Sequence, residues 1–276
     1  MGVERITEFL AVVSKAKKQC LADLSIQEVD YLRGYYEISS LKRTLTRYRN
    51  AVKTSSLSVD HQTIVLKNLC LSPVESDTFR IEGKKQVSND LLNLRPLYDI
   101  DAYIIHAEKL LDSTSYIGVI AGLCALTGRR GAEIACTAKF ERIENDDTGV
   151  LFSGQLKTGK NSTDLPYRIP VLSNVDKIIN ALNKIRSEKT DLINAPQLFH
   201  DRCSKQLNLV TGKHFTDMSD SKITPKNMRS IYGEIAYYLL DNQSIAKSKY
   251  MSLILGHSED DNMTSLSYMD FYIVED

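Results

Sequence analysis

The segment Tyr116–Leu126, Tyr-Ile-Gly-Val-Ile-Ala-Gly-Leu-Cys-Ala-Leu, is almost wholly apolar on every side of a helix. A helix without a polar face has to be buried, so this stretch predicts a core helix, and Thr127-Gly128 supplies its stop. It is far shorter than the roughly 18 apolar residues of a membrane span, no other stretch approaches that length, and no membrane role is expected. A second helix is expected over Leu97–Leu111. Phe140–Ile143, Gly149–Leu156 and Tyr167–Leu172 have the short, Gly- and Asn-bounded pattern of strands in a small antiparallel sheet. Helices resume over Val175–Arg186, over Lys226–Leu240, where Thr224-Pro225 offers an N-cap hydroxyl and a first-turn proline, and over Ser244–Leu255. Ahead of these, Thr7–Cys20 and Ser25–Val52 carry apolar residues at helical spacing (Phe9, Val12, Val13; Val29, Leu32, Tyr35, Tyr36), which predicts a small helical bundle. Ser72-Pro73 and Glu82–Gln86 read as loop or linker. The expected organisation is a helical domain over 1–90 and a mixed domain over 91–276.

The formal net charge of +0 hides a gradient. Met1–Arg95 holds 15 Lys+Arg against 11 Asp+Glu, and the remainder 20 against 24. The basic excess concentrates in Lys42, Arg43, Arg47, Arg49 and Lys53, a run without an acid and with Tyr48 and threonine hydroxyls interleaved. Such a run is ordinarily a solvated helix face; it also suits contacts to DNA phosphates. Cys20, Cys70, Cys124, Cys136 and Cys203 stand singly, with no pair at zinc-finger spacing, and read as reduced thiols of a cytoplasmic protein.

Four further stretches carry chemistry. In Thr127-Gly128-Arg129-Arg130-Gly131-Ala132-Glu133-Ile134 the glycines permit a sharp turn that lifts an arginine from the core edge, where a planar guanidinium can hold two phosphodiester oxygens. Glu133 either braces that guanidinium or caps a helix. Gly154-Gln155-Leu156-Lys157-Thr158-Gly159-Lys160 nearly meets the phosphate-loop pattern, but Asn161 stands where a metal-binding hydroxyl is needed and no helix follows. A hairpin bearing Lys157 near its tip, able to protonate a leaving oxygen, is the better reading. Lys226 and Arg229 are one helical turn apart and can share an anion. Leu255-Gly256-His257 precedes Tyr268, with Tyr272 a second tyrosine nearby. A phenol with an ordinary pKa near ~10 needs cations around it to act as a nucleophile, and Arg130, Lys226, Arg229 and His257 would supply them. A tyrosyl phosphate conserves bond energy, so neither ATP nor a metal cofactor is expected.

This order of motifs resembles the tyrosine recombinase superfamily, whose pattern is Gly-x-Arg-x-x-Glu-[Leu/Ile], a hairpin lysine, [His/Lys]-x-x-Arg, Leu-Gly-His and a tyrosine. By that resemblance the first arginine is Arg130 rather than Arg129, the hairpin lysine and general acid is Lys157, the second arginine is Arg229, the histidine is His257, the nucleophile is Tyr268, and Glu133 is supporting. Thr-Gly-Arg-Arg-x-x-Glu-Ile, Phe152-Ser153-Gly154-Gln155-Leu156-Lys157-Thr158, Lys226 in the histidine position and Thr264-x-Leu266-Ser267-Tyr268-x-x-Phe271 are most similar to the telomere resolvases, or protelomerases, which make covalently closed hairpin ends. The resemblance covers roughly Leu97–Val274. It implies a mainly α fold with a small antiparallel sheet in a two-domain, C-shaped DNA clamp, with a DNA-gripping domain over 1–90 and a catalytic domain over 91–276. It also implies double-stranded DNA, of inverted-repeat sequence, as the partner. Eight residues follow Tyr268, little for a helix exchanged between protomers, so a dimer on DNA is expected over a tetramer. A site-specific integrase with the same chemistry and a non-catalytic DNA-binding protein on this fold are the alternatives; Leu-Gly-His and the residues around Tyr268 fit a type IB topoisomerase badly.

Overall fold

The computed structural model describes residues 3–156, 165–240, 244–257 and 262–274. The chain is mainly α-helical with one small antiparallel sheet, and it divides into two compact units, Met1–Gln86 and Val87–Asp276. Among the described residues no helix is long and apolar enough to cross a membrane.

The first unit contains α1 (Val3–Lys15), α2 (Leu21–Arg33), α3 (Ile38–Thr54), α4 (Val59–Asn68) and most of α5 (Pro73–Leu92). The stretch expected as one helical region over Ser25–Val52 is two helices, broken around Gly34. Leu41, Leu45, Tyr48 and Val52 recur every three or four residues on α3 and pack with Phe9, Val13, Leu21, Val29, Leu32 and Val65. Glu28 is buried in this core and remains satisfied: Arg5 donates to both of its oxygens at 2.9 and 2.6 Å, and Tyr48 Oη donates at 2.7 Å. Residues 82–86, expected as linker, lie inside α5. Ser72 and Glu75 form a reciprocal capping box at its start, with Ser72 N donating to Glu75 Oε2 at 2.7 Å and Glu75 N to Ser72 Oγ at 3.2 Å. Pro73 takes the first helical position, which lacks an amide partner in any case.

In the second unit, β1 (Arg95–Leu97) leads into α6 (Ile100–Leu111) and α7 (Tyr116–Thr127), whose residues from Ile117 onward are all buried among α6, α8 (Val175–Glu188), α9 (Pro196–Phe215) and α10 (Pro225–Leu240). The helix expected from Leu97 starts three residues later because Asp99 caps it by accepting from Ala102 N at 2.7 Å. β2 (Lys139–Ile143), β3 (Asp146–Ser153) and β4 (Tyr167–Pro170) form an antiparallel meander in which Phe140 pairs Phe152 and Phe152 pairs Tyr167. Then come α11 (Lys247–Leu255), α12 (Asn262–Leu266) and β5 (Phe271–Ile273). β5 runs parallel to β1, with Arg95 opposite Phe271 and Leu97 opposite Ile273. Neither this small sheet nor α9 is anticipated by the hydrophobic pattern. The pairing matters because it ties down the chain just after Tyr268; Arg95 reinforces it with an ion pair to Asp270 and a guanidinium 4.0 Å from the Phe271 ring centroid.

Candidate active site

The site is assembled around the C-terminal end of α7. Gly128 stops that helix at φ 65°, and a Cβ there would lie 2.1 Å from Tyr232 Cδ1, so only glycine fits the turn. The two arginines that follow diverge. Arg129 turns inward, 1% exposed, and donates to Thr127 O, Tyr167 Oη and Ile254 O at 3.2, 2.7 and 2.6 Å. Arg130 stays at the edge with its side chain 23% exposed, the disposition expected of an arginine that meets a ligand.

Glu133 does both of the things its position allows. Its Oε1 accepts from Arg130 Nη1 at 2.7 Å, while its Oε2 accepts from Arg130 N at 3.0 Å. It opens a π-helical turn, Glu133–Thr137, and Arg186 from α8 holds carbonyls of that turn and of the residue after it: Nη1 is bonded to Ala135 O, and Nη2 reaches Glu133 O at 3.3 Å and Ala138 O at 3.0 Å. Burial works against the Glu133 carboxylate, but Arg129, Arg229 and Arg130 outweigh it and hold its pKa below the ordinary value.

Arg229 comes from α10, where Thr224 and Asn227 form the cap that begins the helix. The side chain is buried, 3% exposed, and donates to Gly128 O at 2.7 Å and Leu255 O at 2.5 Å. Its Nε has no acceptor among the described residues. Burial and repulsion from Arg129 and Arg130 pull its pKa down to about 9. Three guanidiniums therefore share one carboxylate, a local excess of positive charge that an entering anion relieves.

His257 follows the α11 stop, Gly256, at φ 67°. Its Nδ1 lies 3.1 Å from Ser265 Oγ on α12, and its ring stacks on Tyr268 with centroids 5.3 Å apart and planes at 28°. The Arg229 guanidinium lies 5.3 Å from the centroid of the Tyr268 ring. Burial weakens the Arg130 charge, but the Glu133 carboxylate, with a smaller contribution from Tyr268, more than restores it, so its pKa is raised. Arg130, Glu133, Arg229, His257 and Tyr268 are thus one cluster. Tyr272 is instead held opposite Pro96 in β5, 43% exposed.

The remaining expectations fare differently. Lys226 is exposed in the first turn of α10, and among the described residues it makes no hydrogen bond or ion pair to the cluster. The helical spacing that puts it one turn from Arg229 holds, but α10 is buried all round from Asn227 to Ala236, and Lys226 lies in the exposed turn ahead of that stretch. Lys157 lies outside the described residues. In the first unit Lys42, Arg43, Arg47 and Lys53 are exposed, Lys42 with its ammonium 3.8 Å from the Phe79 ring centroid. Arg49 does not share their freedom: its Nη1 is bonded to Leu66 O and, at 3.1 Å, to Leu69 O, satisfying carbonyls at the end of α4. Sequence reasoning missed Arg129, Gln155, Tyr167, Arg186 and Ser265. Only Ser265, one helical turn before Tyr268, had a signal in its spacing. Among the described residues no group of three or more His, Cys, Asp or Glu is placed to hold a metal ion.

Comparison with known proteins gives the fold and the family. No curated protein sequence matches the chain. Among solved structures it is similar to an arginine-to-alanine mutant of protelomerase TelA complexed with DNA hairpin product, at 24% identity over 98% of this chain and 87% of that one, with a TM-score of 0.88. Protelomerase TelA covalently complexed with substrate DNA matches over the same shares of the two chains at 24% identity, TM-score 0.86. Protelomerase TelK complexed with substrate DNA matches at 17% identity over 98% of this chain and 63% of that one, TM-score 0.61. These likenesses carry the fold. The family model for the telomere resolvase ResT/TelK catalytic domain matches residues 94–271, which takes in every member of the cluster, and the chain belongs to that family.

Proposed function

We propose that this protein cuts and rejoins DNA through a 3′-phosphotyrosyl intermediate and thereby closes the two halves of an inverted-repeat duplex into hairpin ends. The seat of Tyr268 carries this reading: its ring lies on His257, with the Arg229 guanidinium 5.3 Å from its centroid. The Tyr268 hydroxyl yields its proton to water as its oxygen attacks the scissile phosphorus, the bond to the 5′ oxygen breaks, and the departing electron pair takes a proton. On the resemblance, Lys157 gives that proton. Arg130 and Arg229, through its unpartnered Nε, hold the non-bridging oxygens as charge builds on them. A 5′-hydroxyl then attacks the tyrosyl phosphate and frees Tyr268. Each step exchanges one phosphoester for another, so the balance requires no nucleotide hydrolysis and no metal-activated water.

Hairpin closure is favoured over integration by family membership and by a structural neighbour that holds hairpin product. An inverted repeat presents two equivalent scissile phosphates, which suits a two-fold dimer on DNA. Lys42, Arg43, Arg47 and Lys53 supply phosphate contacts, and Lys226 approaches the scissile strand from the open turn of α10. A DNA substrate puts the place of work in the cytoplasm.

The test is trapping on a nicked suicide oligonucleotide carrying the cognate repeat. A covalent protein–DNA adduct that disappears in Tyr268→Phe is expected, as is product that snaps back after denaturation. Intact binding without an adduct would leave a non-catalytic DNA-binding protein; exchanged linear arms would make it an integrase.

A further inference from the structure

We infer that Tyr167 and Gln155, with Arg129, are positioning residues for His257: they clamp the turn from which the imidazole projects. The last carbonyls of a helix have no intrahelical donor, and here three in succession are each taken by a side chain from elsewhere. Arg129 holds Ile254 O at 2.6 Å, Arg229 holds Leu255 O at 2.5 Å, and Gln155 Nε2 holds Gly256 O at 2.8 Å. The Tyr167 hydroxyl joins two of the three, accepting from Arg129 Nη1 at 2.7 Å and donating to Gln155 Oε1 at 2.5 Å.

The sequence is matched to this clamp at Gly256. A Cβ there would stand 2.2 Å from Tyr167 Oη and 2.3 Å from Gln155 Oε1, so the glycine of Leu-Gly-His is needed both for its positive φ and to let the clamp close. The ring of Tyr167 is itself fixed, edge-on to Phe152 at 5.5 Å and 87°, and Arg129 lies over Phe152 at 4.7 Å. The base of the β3–β4 connection is thereby bonded to the residue before His257. A side chain that touches no reacting atom can still set the rate by placing one that does.

The proposal rests on the cleavage reaction assigned above. Tyr167→Phe removes one hydroxyl and keeps the ring; Gln155→Ala removes the direct bond from a half-buried position. Each variant is measured as single-turnover adduct formation at saturating DNA, alone and in a His257→Ala background. The expected result is a fall in rate of between about tenfold and about a hundredfold, unchanged DNA affinity, and no further loss once His257 is gone. Falls that multiply with that of His257→Ala, or a loss that appears in affinity instead of rate, would overturn the clamp. A second readout needs no catalysis. In the free protein, Tyr167→Phe should move the imidazole resonances of His257 and leave those of the four other histidines in place. An unmoved His257 signal also refutes the inference, whereas failure of the unmodified protein to form any adduct with its verified site counts against the proposed function alone.

Discussion

Replacing Glu133 by glutamine keeps the shape of the side chain and removes the negative charge that Arg129, Arg130 and Arg229 share. The structure sets the size of the effect. Oε1 loses a charge-assisted bond from Arg130 Nη1 at 2.7 Å, and an amide nitrogen at Oε2 would confront the Arg130 N–H now 3.0 Å away. Removing one partner of a buried ion pair costs about 3 to 5 kcal/mol; because Arg130 is 23% exposed and water can compensate it, the lower figure applies, about 3 kcal/mol. For a unit of this size that is a fall of roughly 6 to 12 °C in Tm. The sign with pH follows from the depressed pKa of Glu133. A carboxylate held below its unfolded value contributes fully above that value, and the contribution is lost as pH falls through the folded one. The Tm gap between the two proteins should therefore be constant from neutral pH down to mildly acid conditions and close in stronger acid. Thermal melts across that range decide it. A gap under about 2 °C at neutral pH, less than about 1 kcal/mol, or one that widens in acid would show that Glu133 does not balance the arginines.

Arg229→Lys keeps a positive charge but cannot bond Gly128 O and Leu255 O together while presenting a third nitrogen; adduct formation on the suicide substrate should fall by about 10² to 10³, with duplex affinity nearly unchanged in a gel-shift titration. In the first unit the basic run should divide in two. Arg47→Ala, exposed, should leave Tm unchanged and reduce the salt dependence of DNA binding by about one counterion, whereas Arg49→Ala should lower Tm by stranding Leu66 O and Leu69 O, a penalty of about 1 to 3 kcal/mol.

Where the sequence was legible, a local rule settled the outcome. α7 had no polar face and could only be buried. Gly128 and Gly256 marked helix stops, and the turn after Gly128 promised an arginine at the core edge; that it is Arg130 and not Arg129 came from the family resemblance and not from a local rule. Ser72-Pro73 was misleading because a serine and proline mark a break as readily as a start; the reciprocal glutamate at Glu75 was the clue that a helix follows. α5 buries no residue of its own, so periodicity could not reveal it either. The β1–β5 pairing joins three-residue strands from opposite ends of the second unit, and no local pattern encodes so distant a partner. Arg129, Gln155 and Tyr167 were invisible for a related reason. They bond each other and backbone carbonyls far along the chain, and a carbonyl is the same for every residue type.

The same carbonyls explain how the site keeps a charge excess that would otherwise disperse. Arginines repelling one another in a flexible pocket would swing apart into water, and a phosphate would have to gather them at its own cost. Here Arg129 and Arg229 are anchored on adjoining carbonyls of α11, and Arg130 is anchored on Glu133, before any DNA arrives. Folding bears the repulsion, visible in the lowered pKa of Arg229, and the ligand meets cations already in place. Tyr268 stands against these cations with its ring stacked on His257, and only Met269 and Asp270 separate it from β5. In the proposed mechanism this arrangement keeps the phosphate still while the Tyr268 oxygen attacks it, so the cost of gathering the charge is met in folding and not at the reacting step.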